Sequence, residues 1–320
     1  MKVIRLHASA DLRLHTEPEP EPAPGEALVR VQAVGICGSD LHWFSGGGIG
    51  DARLEQPLVL GHEAAGVIVA GPRRGQRVAL DPAIPCHKCE ACLQGHPNLC
   101  EQIRFAGHGS EDGALREYIA WPEECLFTLP EALSQADGVI LEPLGVAMHA
   151  VDLAHLRPGM TVGVFGCGPI GLLVIQMARL AGATRIFVTE PRLHRLEAAR
   201  RLGAREWTPG QMVDRAFETA GDNAAVETAF TAVKAGGTVI LAGIPDDDRT
   251  SFSASVARRK GLTIKMVRRM KFTYPRAIQL VEAGLVDVRS LVTHTFPLEQ
   301  AQAAFTLAQQ REGLKIIITL

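Results

Sequence analysis

Residues 160–190 constrain the fold more than any other stretch of the chain. Met160-Thr161-Val162-Gly163-Val164-Phe165 reads as a buried strand that runs into Gly166-Cys167-Gly168-Pro169-Ile170-Gly171. A helical stretch, 172–181, follows, and a second strand pattern, 185–190, ends on Glu190. The spacing G-x-G-x-x-G is weak by itself. Between strand and helix, with an acid nineteen residues past the last glycine, it points to a dinucleotide. The glycines let the backbone approach a pyrophosphate, whose charge the helix N-terminus receives. Glu190 at the strand end suits the adenosine ribose hydroxyls and repels a 2′-phosphate, which predicts NAD over NADP. Arg192 and Arg195 soften that preference. The competing reading is a glycine turn in an α/β core with no ligand.

The wound pattern continues with a helix over 195–202, a short irregular stretch to 219, a helix over 224–233 and strands over 237–243 and 262–267. A helix over 274–283, a strand, a helix over 298–309 and a final strand over 314–318 complete the tail. A chain of 320 residues holds about two domains of this kind. With a formal net charge of -2 there is no electrostatic case for nucleic acid or an anionic membrane. The longest apolar run, 160–178, is broken by four glycines and a proline, which argues against a membrane span. The N-terminus has no unbroken apolar stretch of the secretory kind, so a cytoplasmic protein is expected.

Upstream, residues 1–34 read as short strands joined by turns, with 17–25 an extended, proline-rich connector. Gly35-Ile36-Cys37-Gly38-Ser39-Asp40-Leu41-His42 then reads as a turn after a strand, and 45–50 as a flexible loop. Cys37 fits a buried thiol in a glycine-rich corner or a metal ligand equally well. His62-Glu63 lies in apolar surroundings, as a satisfied core histidine beside a surface glutamate or as a metal pair. Glu142-Pro143 opens a helical run, 145–156, where the carboxylate either serves the helix N-terminus or joins a metal site.

Of seven cysteines, Cys86, Cys89, Cys92 and Cys100 crowd into fifteen residues as C-x2-C-x2-C-x7-C. Four thiolates at this spacing close a tetrahedral shell around zinc and leave no open position. The iron–sulfur spacings differ from this one, and a disulfide pair sits badly with a cytoplasmic chain. The lobe over 85–101 has no obvious core, so the metal supplies much of its local stability.

A lone cysteine with a downstream His–Glu pair, a four-cysteine lobe and a later dinucleotide unit follow one another in fixed order. That order resembles the zinc-dependent medium-chain alcohol dehydrogenases over essentially the whole chain. Gly35 to His42, Gly61-His62-Glu63 and Glu142-Pro143-Leu144 are most similar to the sorbitol (polyol) and threonine dehydrogenase branch. Val292-Thr293-His294, Phe296-Pro297-Leu298-Glu299, Tyr274-Pro275 and Ala277-Ile278 resemble the polyol enzymes in particular.

The resemblance implies an α/β chain with a GroES-like, β-rich catalytic domain over 1–147 and 286–320. A Rossmann NAD-binding domain, doubly wound, is implied over 148–285, with a cleft between the two. It implies two zinc ions per subunit, the structural one in the cysteine lobe. The catalytic one would be held by Cys37, His62 and Glu63, with Glu142 reaching it directly or through water. Two carboxylates at one site imply that Glu63 and Glu142 exchange places on the zinc. Ser39 and His42 match the proton relay. Beyond the motif residues Gly166, Gly168, Pro169 and Gly171, the matched cofactor contacts are Ile170, Glu190, Arg195, Ala242, Gly243, Ile244, Val267, Arg268 and Arg269. Arg269, with Trp43 and Glu142, is also matched to substrate.

The expected activity is hydride transfer between a secondary alcohol or polyol and NAD. A threonine or diol dehydrogenase is the nearest alternative, and a non-catalytic zinc and nucleotide binder or a zinc-independent quinone reductase of the same fold lie further off. Trp43 and Met270 stand where polyol enzymes resemble one another in having tyrosines, which weakens the case for a polyhydroxylated substrate. The chain is short for the family, so the third strand of the Rossmann sheet is expected to be reduced or missing. A homo-oligomer, tetramer before dimer, rests on the family alone.

Overall fold

A computed structural model describes all 320 residues. The chain divides into two compact units. One comprises Met1–Glu142, Tyr274–Gly284 and Val288–Leu320, the other Pro143–Thr273 and Leu285–Asp287. No helix is long and apolar enough to cross a membrane.

The first unit is built on a seven-stranded sheet. Its path runs Leu126–Thr128, Arg77–Leu80, Glu63–Ala70, Glu26–Gly35, Lys315–Thr319 and Val292–Pro297, with Tyr118–Pro122 also pairing with Glu26–Gly35. Glu26–Gly35 forms the spine because alternate residues Ala27, Val29, Val31 and Ala33 are apolar and buried, the period a half-buried strand requires. Its last residue, Gly35, pairs with Glu63 on one side and Ile317 on the other. Chain segments far apart in sequence therefore meet at one strand end.

The second unit is a six-stranded, wholly parallel sheet in the order Arg205–Glu206, Arg185–Thr189, Thr161–Phe165, Val213–Glu218, Val233–Leu241 and Thr263–Met266. Numbered along the chain this is 3-2-1-4-5-6, the doubly wound dinucleotide order. Thr161–Phe165 is buried throughout, as a central parallel strand covered on both faces must be. The third strand survives at two residues.

Several expectations are corrected. Residues 38–46 form a helix, Gly38–Gly46, where a turn was expected, and this helix takes up the start of the loop expected over 45–50. Residues 204–219, expected to be irregular, hold the strands Arg205–Glu206 and Val213–Glu218. The helix expected over 145–156 runs Gln135–Ala154, with Pro143 inside it. Its N-terminus lies upstream because Ser134 and Asp137 form a reciprocal cap, each side chain accepting the other's backbone N–H, at 2.8 and 3.1 Å. Glu142 is therefore a mid-helix residue and serves no helix N-terminus. The helix Tyr274–Glu282 groups with the first unit: Tyr274 donates from its hydroxyl to the Leu80 carbonyl and stacks on Phe127 at 4.6 Å. Residues 143–147, assigned above to the catalytic domain, group with the second.

Candidate metal centre and coenzyme loop

Cys37 sits where Glu26–Gly35 gives way to the helix Gly38–Gly46, in extended conformation at the helix N-cap. Asp40 fixes it there, accepting the Cys37 backbone N–H at 2.9 Å. The other oxygen of Asp40 accepts from Gly61 N–H at 3.2 Å and lies 3.2 Å from His62 Nδ1. Gly61 has a φ of +92°, and a Cβ there would meet Val34 Cγ1 at 2.7 Å, so only glycine makes this turn into Glu63–Ala70. With Nδ1 facing Asp40, Nε2 of His62 is the nitrogen left for a metal.

Donor atoms of Cys37, His62 and Glu63 all lie within 4.8 Å of one another. A thiolate, an imidazole and a carboxylate around one point fit zinc with a further position open. Glu142 is not in this group, although its carboxyl is 5% exposed and close enough to feel the other charges. Burial pushes its pKa up, helped by Glu63 and opposed by His62 and Lys315. Burial alone would favour neutral His62, but Asp40 and Cys37 outweigh it and raise the imidazole well above its usual range. Asp40 shows the converse: burial raises it, while His62 and the amides of Cys37 and Gly61 carry it below the usual carboxylate value.

Two members of this cluster were not singled out from the sequence. Asp40 had a local signal, the capping spacing to Cys37 ahead of an apolar run. Lys315 had none. It lies 252 residues from Glu63, and its Nζ donates to both Glu63 oxygens, at 2.7 and 2.6 Å.

Ser39 Oγ lies 3.4 Å from His62 Nε2, and His42 is half-buried one turn further along the same helix. Trp43, expected at the substrate face, is instead in the core of the first unit, 1% exposed and edge-on to His108 at 5.5 Å. The ring that adjoins His62 is Phe105, at 5.3 Å.

The sulfur atoms of Cys86, Cys89, Cys92 and Cys100 also lie within 4.8 Å of one another. Backbone N–H groups of Cys86 and Cys89 donate to Cys100 and Cys86 sulfur at 3.2 and 3.3 Å, as amides around thiolates do. His87 takes a φ of 57° to turn the loop between the first two cysteines. Leu93 and Leu99 are 75% and 51% exposed, so no apolar core holds the lobe, and its thiol set fits a closed zinc site.

In the second unit, Gly168 caps the helix Pro169–Leu180, with Pro169 at its first position and Ile170 half-buried behind it. A Cβ on Gly171 would fall 2.0 Å from the Gly166 carbonyl oxygen, whereas one on Gly168 would meet nothing nearer than Arg195 Nη1 at 3.6 Å. Gly171 thus packs helix on strand and Gly168 leaves an open approach, which fits a bound pyrophosphate. Glu190 follows Arg185–Thr189 and accepts from Cys167 N–H at 2.8 Å and Arg192 N–H at 3.0 Å. Ala242, Gly243 and Ile244 follow Val233–Leu241, and Val267, Arg268 and Arg269 follow Thr263–Met266. All sit at carboxyl ends of parallel strands, the edge where doubly wound sheets bind ligands. Arg269 is held at a φ of 56°. The strand missed by sequence reading brings Glu218 to this edge, accepting from Ala220 and Gly221 N–H, each at 2.6 Å.

Residues 23–131 match the family of the alcohol dehydrogenase GroES-like domain, and residues 169–283 that of the zinc-binding dehydrogenases. The chain is 36% identical to the sorbitol dehydrogenase of Bacillus subtilis over 99% of its own length and 97% of the relative's. It is 35% identical to the D-xylulose reductase A of Aspergillus niger, over 92% and 89% of the two chains. Among solved structures, 2R,3R-butanediol dehydrogenase from Bacillus subtilis superposes with a TM-score of 0.88 at 30% identity, covering 100% and 99% of the two chains.

Proposed function

The chain belongs to the zinc-dependent medium-chain alcohol dehydrogenases, in the sorbitol dehydrogenase-like branch, and from that premise we propose that it oxidises a polyol or other secondary alcohol with NAD at a zinc held by Cys37, His62 and Glu63. The observation that carries this reading is the convergence of those three donors within 4.8 Å. Zinc at this site would supply Lewis acidity toward a substrate hydroxyl, and NAD would supply the hydride acceptor. The protein's own groups supply orientation and a proton path. Asp40 holds the His62 ring, and the Ser39 hydroxyl lies beside its metal-facing nitrogen. His42, one turn on, takes the proton to solvent. Gly166 to Gly171 and the helix behind them receive the pyrophosphate, and Glu190 selects NAD. Arg195, Ala242 to Ile244 and Val267 to Arg269 complete the coenzyme contacts, with Arg269 and Glu142 also toward substrate. Cys86, Cys89, Cys92 and Cys100 hold a second, structural zinc.

A diol or a less hydroxylated secondary alcohol is the second reading. It is favoured by Met270, 6% exposed, which supplies no hydroxyl where polyol enzymes resemble one another in having a tyrosine. A homo-oligomer in the cytoplasm completes the proposal, supported by the converging thiols of Cys86, Cys89, Cys92 and Cys100 for the compartment and by the family for the assembly. NADH formation at 340 nm across polyols, diols, simple secondary alcohols and threonine, with and without chelator, is the test. Chelator-sensitive turnover of an alcohol is expected. A protein that binds zinc and NADH yet turns over nothing on that panel is a non-catalytic relative.

A further inference from the structure

Lys315 takes no part in the chemistry proposed above, yet it is 3% exposed and lies against the metal site. It begins the strand Lys315–Thr319, whose Ile317 pairs with Gly35, and Gly35 pairs in turn with Glu63. Its Nζ donates to both carboxylate oxygens of Glu63, at 2.7 and 2.6 Å, and to the Ile36 carbonyl at 3.1 Å. All the ammonium's donors are thereby used inside the protein. A buried charge is tolerable only against such a partner.

Glu63 is fully buried, and one of its oxygens also belongs to the donor set shared with Cys37 and His62. One carboxylate therefore faces two cationic positions, a fixed ammonium and the metal, and each weakens the other's hold. Room for it comes from Gly35: a Cβ there would fall 2.1 Å from Glu63 Oε2 and 2.8 Å from Val139 Cγ1. Val139 precedes Glu142 by one turn on the helix Gln135–Ala154, which brings a second carboxylate toward the same wall.

We propose that Lys315 is a positioning residue that competes with the catalytic metal for Glu63, keeping this carboxylate exchangeable so that a coordination position opens for substrate. The proposal rests on Cys37, His62 and Glu63 being the metal's ligands. In Lys315→Met the buried Glu63 charge loses its ammonium and must turn wholly to the metal. The enzyme should then hold the catalytic metal at least about tenfold more tightly in chelator competition, a change of the size that outer partners of metal ligands produce. The visible bands of the cobalt-substituted enzyme should shift, and kcat should fall. Lys315→Arg keeps the charge and should return affinity and spectrum to within about twofold of wild type, the usual scatter of non-interacting changes. The metal of the cysteine lobe, unchanged throughout, is the internal reference.

Catalytic metal held no more tightly in Lys315→Met overturns the proposal. So does an effect of that substitution that persists in a Glu63→Gln background. If Lys315→Met does not fold, Lys315→Gln decides, since its amide still donates to Glu63 without carrying the charge. Tighter catalytic metal and shifted cobalt bands are expected, and an unchanged metal affinity overturns the proposal. Wild-type protein that takes up only the lobe zinc overturns the ligand reading itself, and this inference with it.

Discussion

Asp40 Oδ1 lies 3.2 Å from His62 Nδ1, and the same carboxylate accepts the Cys37 backbone N–H at 2.9 Å through its other oxygen. One buried side chain thus sets the ring orientation of one metal donor and the backbone of another. Asp40→Asn keeps the shape and removes the charge. Catalytic-site zinc affinity should fall by about 10- to 100-fold, as for other carboxylates behind a ligating histidine. Chelator competition on the purified protein measures it, with the lobe zinc unaffected. An Asn variant that keeps full affinity would show that Asp40 is a helix cap and nothing more.

The two glycines of the coenzyme loop should fail in different ways. A Cβ on Gly171 falls 2.0 Å from the Gly166 carbonyl, a clash of backbone with side chain that nothing flexible relieves. Gly171→Ala should therefore lower the melting temperature as well as abolish NADH binding. On Gly168 the nearest atom is 3.6 Å away, so Gly168→Ala should melt near wild type and lose NADH affinity alone, because the methyl group occupies the approach to the pyrophosphate. Thermal melts paired with NADH fluorescence titrations separate the two. If Gly168→Ala binds NADH as wild type does, the coenzyme does not approach over that residue.

The cysteine lobe should behave as a metal-folded unit. With Leu93 and Leu99 largely exposed, little but the thiolate shell orders it. Cys92→Ser should carry one zinc fewer per chain and become sensitive to limited proteolysis within residues 85–101, while NADH binding by the second unit persists. Unchanged zinc content would remove the lobe as a metal site.

What was legible before the structure followed from locality. The glycine loop, Glu190 and the four cysteines each sit within a short stretch whose spacing carries its own geometry, and each falls at the expected place on a strand end or loop. Even so, local reading missed the Ser134–Asp137 cap and so placed the start of the Glu142 helix too late. Lys315 was beyond local reading altogether, because its partner is set by strand pairing across 252 residues. Trp43 erred for a related reason: which face of Gly38–Gly46 is buried depends on what packs there, and Phe44 with Phe305, at 5.2 Å, belongs to the same core. The strand Val213–Glu218 carries Asp214, Arg215 and Glu218 among its apolar residues, which masks the pattern of a buried parallel strand.

Asp214 makes a pH-dependent clasp in the second unit. It accepts from Thr161 N–H at 2.7 Å, the Thr161 hydroxyl at 2.8 Å and Lys234 Nζ at 2.6 Å, tying Thr161–Phe165 to Val213–Glu218. Burial works against its ionisation, but Lys234 and Thr161 prevail and hold its pKa at about 2, below the ordinary 3.8. Because the folded value is depressed, the stabilisation is complete above the unfolded pKa and is lost as pH falls toward the folded one. At neutral pH it amounts to about 2 kcal/mol. Urea midpoints for wild type and Asp214→Asn should differ most at pH 7, with the gap shrinking by about half near pH 3. A gap that stays constant over that range means the charge contributes nothing.

The proposed preference for NAD rests on Glu190. Its two oxygens accept from Cys167 and Arg192 N–H at 2.8 and 3.0 Å, so the carboxylate is pinned at the end of Arg185–Thr189 beside the glycine loop. A carboxylate fixed there repels a 2′-phosphate, while Arg192 and Arg195 stand close by to receive one. Glu190→Ser should remove the repulsion and leave the arginines in place. The ratio of kcat/KM for NADP to that for NAD should then rise by at least about tenfold, equivalent to roughly 1.4 kcal/mol. Most of that change should appear in the KM for each coenzyme, because the substitution lies away from the transferred hydride. Steady-state kinetics with both coenzymes on one alcohol measure the ratio directly. If Glu190→Ser lowers affinity for NAD and NADP alike, the carboxylate orders the loop through Cys167 and does not read the ribose.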